Sequence, residues 1–135
     1  MNKYKTILVE KQRPVGKIVY NVPEKRNPLT IEMIDEATKA FLKFEEEDEV
    51  RAIILTHTGP IFSSGMPQHF VVGKEYEEIM KMSHKYMEYQ SFLQRDISKP
   101  VIAAAYGPGP IDGMDIVIFS ESASFNLPAI NIGLL

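Results

Sequence analysis

The chain has no cysteine, which removes disulfides, thiolate nucleophiles and cysteine metal sites from consideration. It also lacks a surplus of positive charge. Fifteen Lys and Arg against eighteen Asp and Glu leave a formal charge of −3. Such a balance gives no general basic field, so nucleic acid is not expected as the main partner. A local pair such as Lys25-Arg26 still suits an anionic small molecule. Long apolar runs are missing too: no stretch approaches the ~20 residues that a membrane helix needs. Met1-Asn2-Lys3-Tyr4-Lys5 leads into a short mixed strand and not into a signal-peptide core. A soluble, cytoplasmic protein with no membrane partner is the expectation.

What is present suffices for one core. A chain of 135 residues with 44% apolar content suits a single domain. Residues 6–10 and 15–22 read as strands, and Gln12-Arg13-Pro14 between them predicts a hairpin. After a charged loop (23–28), Thr30 suits an N-cap, and Ile34, Ala37, Phe41 and Phe44 then fall on one helical stripe. The acidic run 45–49 ends that helix and reads as a solvated face. A strand at 51–56, a helix at 74–93 and a strand at 101–105 follow, with a short strand at 115–119. Met80, Met82 and Met87 on the second helix read as core filler, or alternatively as the lining of an adaptable acyl pocket. Alternating strands and helices with long crossovers predict parallel pairing in an α/β domain. The apolar stretch at 130–135 has no polar cap, so an incomplete architecture is expected.

Two glycine-bearing turns carry the functional signal. Phe62-Ser63-Ser64-Gly65-Met66 follows one strand, and Tyr106-Gly107-Pro108-Gly109-Pro110-Ile111-Asp112-Gly113 follows another. Backbone N–H groups from two strand-end turns can converge on one oxygen, which is how an oxyanion hole is built. A carbonyl that gains negative charge during reaction, such as a thioester, is the expected ligand. The second turn fails as a dinucleotide or phosphate loop, because Pro108 and Pro110 stand where bare N–H donors are needed.

These segments together resemble the N-terminal half of the enoyl-CoA hydratase/isomerase (crotonase) superfamily. The matching pieces are 22–30, 50–56, 62–66, 99–104 and 115–125, in family order and nearly at family spacing. The resemblance implies a truncated α/β spiral of β-β-α units, lacking the C-terminal helical region, as one core domain over 1–135. It implies a trimer or pair of trimers, an acyl-CoA thioester as ligand, and no cofactor beyond the coenzyme A of the substrate. By the same resemblance, the N–H of Met66 is one oxyanion donor and the second comes from Asp112-Gly113. Lys25 and Arg26 take the coenzyme A phosphates, and Ser64, Gly65, Met66 and Gln68 complete the substrate site.

The match departs where hydratases carry two glutamates. At the second position the chain reads Leu127-Pro128-Ala129, and a methyl group cannot move a proton. The first position stays open. A gapless reading puts Asp115 there. A deletion between Gly113 and Asp115, favoured by the longer match over 115–125, removes most of the helix concerned. Asp112 or Asp115 then remains as a candidate carboxylate. His57, His69 and His84 have no spaced partner and read as surface or packing residues. No metal constellation or nucleophile motif stands out. A catalytic member and a non-catalytic binding or assembly protein on the same scaffold are both consistent with this sequence.

Overall fold

Two short runs rich in β-branched residues form the first element pair. In the computed structural model, which describes residues 4–70 and 72–124, β1 (Ile7–Gln12) and β2 (Val15–Tyr20) make an antiparallel hairpin. Its register runs from Ile7↔Tyr20 to Gln12↔Val15, so Arg13-Pro14 alone makes the turn.

The helical stripe folds as its spacing predicts. In α1 (Ile31–Glu46) Ile34, Ala37, Phe41 and Phe44 are all buried, joined by Met33 and Ala40. Thr30 Oγ1 accepts the Met33 N–H at 3.2 Å, satisfying one of the donors that every helix start leaves free. Truncating a side chain as buried as Phe41 typically costs about 3–5 kcal/mol.

β3 (Ala52–His57), β4 (Val101–Ala105) and β5 (Ile116–Phe119) then add in parallel, giving the order β1-β2-β3-β4-β5. α1 and α2 (Tyr76–Arg95) are the crossovers, and they share one core with the buried residues Ile53, Leu55 and Val101 of the sheet. The connection from β4 to β5, residues 106–115, has no helix. Parallel strands usually need a longer, helical crossover. Parallel pairing aligns the carboxyl ends of β3, β4 and β5 on one edge, the edge where α/β sheets bind ligands.

Two expectations are corrected. The acidic run is more than a solvated face. Glu45 accepts from the Ser98 hydroxyl and the Lys99 N–H, Glu47 pairs with Lys11 at 2.8 Å, and Glu49 pairs with Arg13 at 2.6 Å. The hairpin and the entry to β4 converge on the end of α1, so these charges find partners remote in sequence. Lys99 completes the knot by donating to the Phe44 and Glu47 carbonyls that end the helix. The methionines do not fill the core: Met80 is 49% exposed and Met87 62%. The cause is that α2 buries Tyr89, Phe92 and Leu93, all near its C-terminal end. The readings made for Leu127-Pro128-Ala129 and for 130–135 lie outside the described residues.

Candidate functional site

The first turn is organised by a residue from the charged loop. Asn27 is fully buried; its side chain accepts the Val22 N–H at 2.7 Å and donates to Thr58 O and Ile61 O at 2.9 and 2.8 Å. Its φ is +48° and that of Arg26 is +64°. Asparagine is among the side chains that best tolerate this left-handed region. Three more bonds join loop to turn: Ser64 N–H to Arg26 O, Ser63 Oγ to Asn27 O, and Leu29 N–H to Gly65 O, at 2.9, 2.7 and 2.9 Å. Gly65 has φ +72°, and among the described residues the Met66 N–H that follows meets no acceptor.

The second turn lies directly on the first. Phe62 N–H donates to Pro108 O at 2.9 Å. A Cβ on Gly109 would stand 2.6 Å from Ser63 N, and one on Gly107 would stand 2.0 Å from Pro60 O. Only glycine permits so close an approach of two backbones. Pro110 follows, its ring 3.8 Å from where a Gly65 Cβ would be.

Asp112 and Gly113 lie further along, against α2. Gly113 (φ +86°) packs on Gln90 and Leu93, and the exposed Asp112 accepts the Gln90 amide at 2.9 Å. Asp115 goes elsewhere. Its carboxylate accepts the Val101 N–H at 2.8 Å, and its own N–H donates to Val101 O at 3.0 Å. Val101 opens β4, whereas the second turn leaves β4 after Ala105, so Asp115 sits at the opposite edge of the sheet from the turns. The gapless reading of Asp115 as a catalytic carboxylate is not supported by that placement.

Lys25 and Arg26 are exposed, and among the described residues neither has a carboxylate partner. Ser64 is exposed beside them, and Gln68 opens a short 3-10 turn, Gln68–Phe70. Where that turn meets the starts of α1 and α2, a groove of about 330 Å³ is lined by Ile31, Phe70, Lys74, Glu78, Lys81 and Met82. Met82 is thus placed as an apolar lining residue, unlike Met80 and Met87. His69 and His84 are exposed, whereas His57 is buried at the end of β3. Among the described residues, no group of three or more His, Asp or Glu side chains is placed to hold a metal ion. Sequence reasoning missed the bracing role of Asn27 and the groove. An asparagine before proline, in the charged loop after β2, is the available signal for the first.

A mixed sheet backed by two helices, with glycine turns at its carboxyl edge, is the crotonase-type α/β core. The family model for enoyl-CoA hydratase/isomerase matches residues 10–135, and the chain belongs to that family. It is 30% identical over 134 residues to the zebrafish (Danio rerio) enoyl-CoA hydratase domain-containing protein 3, mitochondrial, covering 94% of this chain and 46% of that protein. It is 35% identical to the enoyl-CoA hydratase, mitochondrial, of Pongo abelii, covering 91% and 43%. Among solved structures, human enoyl coenzyme A hydratase domain-containing protein 3 superposes with TM-score 0.81 at 25% identity, covering 96% and 54%. An enoyl-CoA hydratase subunit from Geobacillus kaustophilus shares the fold with TM-score 0.86 at 24% identity, covering 99% and 53%. The chain spans about half the length of the curated relatives it matches.

Proposed function

We propose that this chain binds an acyl-CoA thioester across the two glycine turns and stabilises negative charge on its carbonyl oxygen. The donors are the N–H of Met66 and an N–H from Asp112-Gly113. Lys25 and Arg26 take the phosphates, and the groove beside Phe70 takes the apolar arm. Relatives bear the name enoyl-CoA hydratase, so hydration or isomerisation of an enoyl-CoA is the reaction put forward. A removed oxyanion donor typically costs about 3–4 kcal/mol of transition-state stabilisation, so side chains need contribute little. The assembly put forward is a trimer or a pair of trimers, in the cytoplasm.

One observation carries this reading: the turns touch through backbone at Gly109 and Ser63, while the Met66 N–H beside them is unpaired among the described residues. A second reading, binding without turnover, is favoured by the placement of Asp115, whose carboxylate is engaged by Val101.

The test is calorimetry with butyryl-CoA and with free coenzyme A, together with the loss of enone absorbance from crotonyl-CoA. Butyryl-CoA binding more tightly than free coenzyme A supports the carbonyl site. Equal affinity removes the oxyanion contact, and no binding by either removes the whole reading. Turnover of crotonyl-CoA then decides between the catalytic and the binding protein.

A further inference from the structure

We propose that His57 is a positioning residue whose neutral ring holds the two glycine turns in register, and that protonating it releases the second turn. The functional consequence rests on the acyl-CoA reading; the clamp itself does not.

His57 ends β3 and is 3% exposed. Its Nε2 accepts the Tyr106 N–H at 3.2 Å, and its carbonyl accepts the Tyr106 hydroxyl at 2.6 Å. The two rings stack with centroids 3.9 Å apart. Tyr106 is the first residue of the second turn, so three separate contacts fix where that turn begins. On another side the imidazole meets the Phe62 ring of the first turn edge-on at 5.3 Å. One side chain therefore touches both turns.

An Nε2 that accepts puts the ring's proton on Nδ1. Nδ1 is buried without a partner among the described residues, and the Asn27 amide already engages the nearby Thr58 and Ile61 carbonyls. A second proton would set an N–H at Nε2 against the Tyr106 N–H, donor facing donor. The titratable groups around the ring are Tyr106 on the second turn and Tyr20 across the β2–β3 register, with Tyr89 behind Tyr20. Among the described residues, no carboxylate or ammonium acts on the imidazole. A charge placed there stays buried, with only backbone carbonyls to offset it. Burial accordingly holds the pKa of His57 below its ordinary 6.5, opposed only by the carbonyls of Thr58, Gly59 and Ile61.

The test uses the ¹⁵N-labelled chain without ligand. The Tyr106 amide shift should titrate with the His57 ring at one shared midpoint below 6.5. If the amide does not follow the ring, the clamp is overturned. His57→Gln keeps an acceptor that cannot titrate, so its Tyr106 amide should stay flat with pH. A Tyr106 amide that still titrates in that variant also overturns the proposal. For butyryl-CoA, the native chain should lose about tenfold in affinity as His57 is protonated, the order expected for one lost hydrogen bond, while His57→Gln loses none. If the amide titrates but butyryl-CoA binds at no pH, the acyl-CoA reading fails and the clamp stands.

Discussion

Ser63 and Gly109 meet so closely that no side-chain carbon fits between them: a Cβ on Gly109 would lie 2.6 Å from the serine nitrogen and 2.8 Å from its oxygen. Both obstacles are backbone, which cannot swing aside as a side-chain tip can. At this point of contact the spacing of the two turns is set by main chain alone.

Gly109→Ala should separate the turns. Overpacking of this kind costs about 1–3 kcal/mol, and butyryl-CoA affinity should fall with stability. Gly73→Ala is the control. It has φ +72° but no neighbour within 4 Å, so it should cost stability through backbone strain without separating the turns. Thermal melts and calorimetry on both variants check this.

Asn27→Ala should be among the more damaging polar substitutions in the chain. It strands the Val22 N–H and removes a donor from both Thr58 O and Ile61 O. A buried group left without its partner costs about 1–3 kcal/mol, so a loss of about 3 kcal/mol or more in urea unfolding is expected. Asn27→Asp should rescue little, because a carboxylate keeps the acceptor for Val22 and repels both carbonyls.

Asp115→Asn separates a structural from a chemical role. The amide oxygen can still accept from Val101, so a stability loss of about 1 kcal/mol or less is expected, with butyryl-CoA binding and any crotonyl-CoA turnover retained. A fold-preserving loss of turnover in this variant would return the residue to the reaction.

Acid should weaken the fold progressively. Burial pushes Glu36 and Glu45 upward, but hydrogen bonds outweigh it, from Thr6 and Lys5 at Glu36 and from Ser98 and Lys99 at Glu45. The Lys11 ammonium lowers Glu47. In each case the unfolded carboxyl binds a proton at higher pH than the folded one. Their stabilisation is therefore complete above the ordinary value near 4.5 and is lost as pH falls below it. His57, held low by burial, adds an earlier decline: the unfolded ring protonates from about 6.5 downward while the folded ring resists. Urea midpoints across pH should show both declines, and His57→Gln should remove the upper one.

Much of this was legible in residue spacing. The α1 stripe from Ile34 to Phe44, the hairpin break at Arg13-Pro14 and the buried run of β4 each report a local period that tertiary packing did not override. What spacing could not report were pairings between distant positions: Asn27 with Ile61, His57 with Tyr106, Glu45 with Ser98. The two readings of Asp115 stayed open for a related reason. A carboxylate beginning a strand and one on a lost helix look alike in sequence, and only the Val101 contact separates them.

The anchoring of α2 bears on ligand choice. The helix is held where Tyr89, Phe92 and Leu93 grip the sheet, whereas Lys74, Glu78, Lys81 and Met82 border the groove at its opposite end. Its fully buried side chains thus gather at one end, while the other end keeps its side chains partly or wholly exposed. On the acyl-CoA reading proposed above, arms of differing bulk would press on this thinly packed end and leave the main-chain cradle at the carboxyl edge in place.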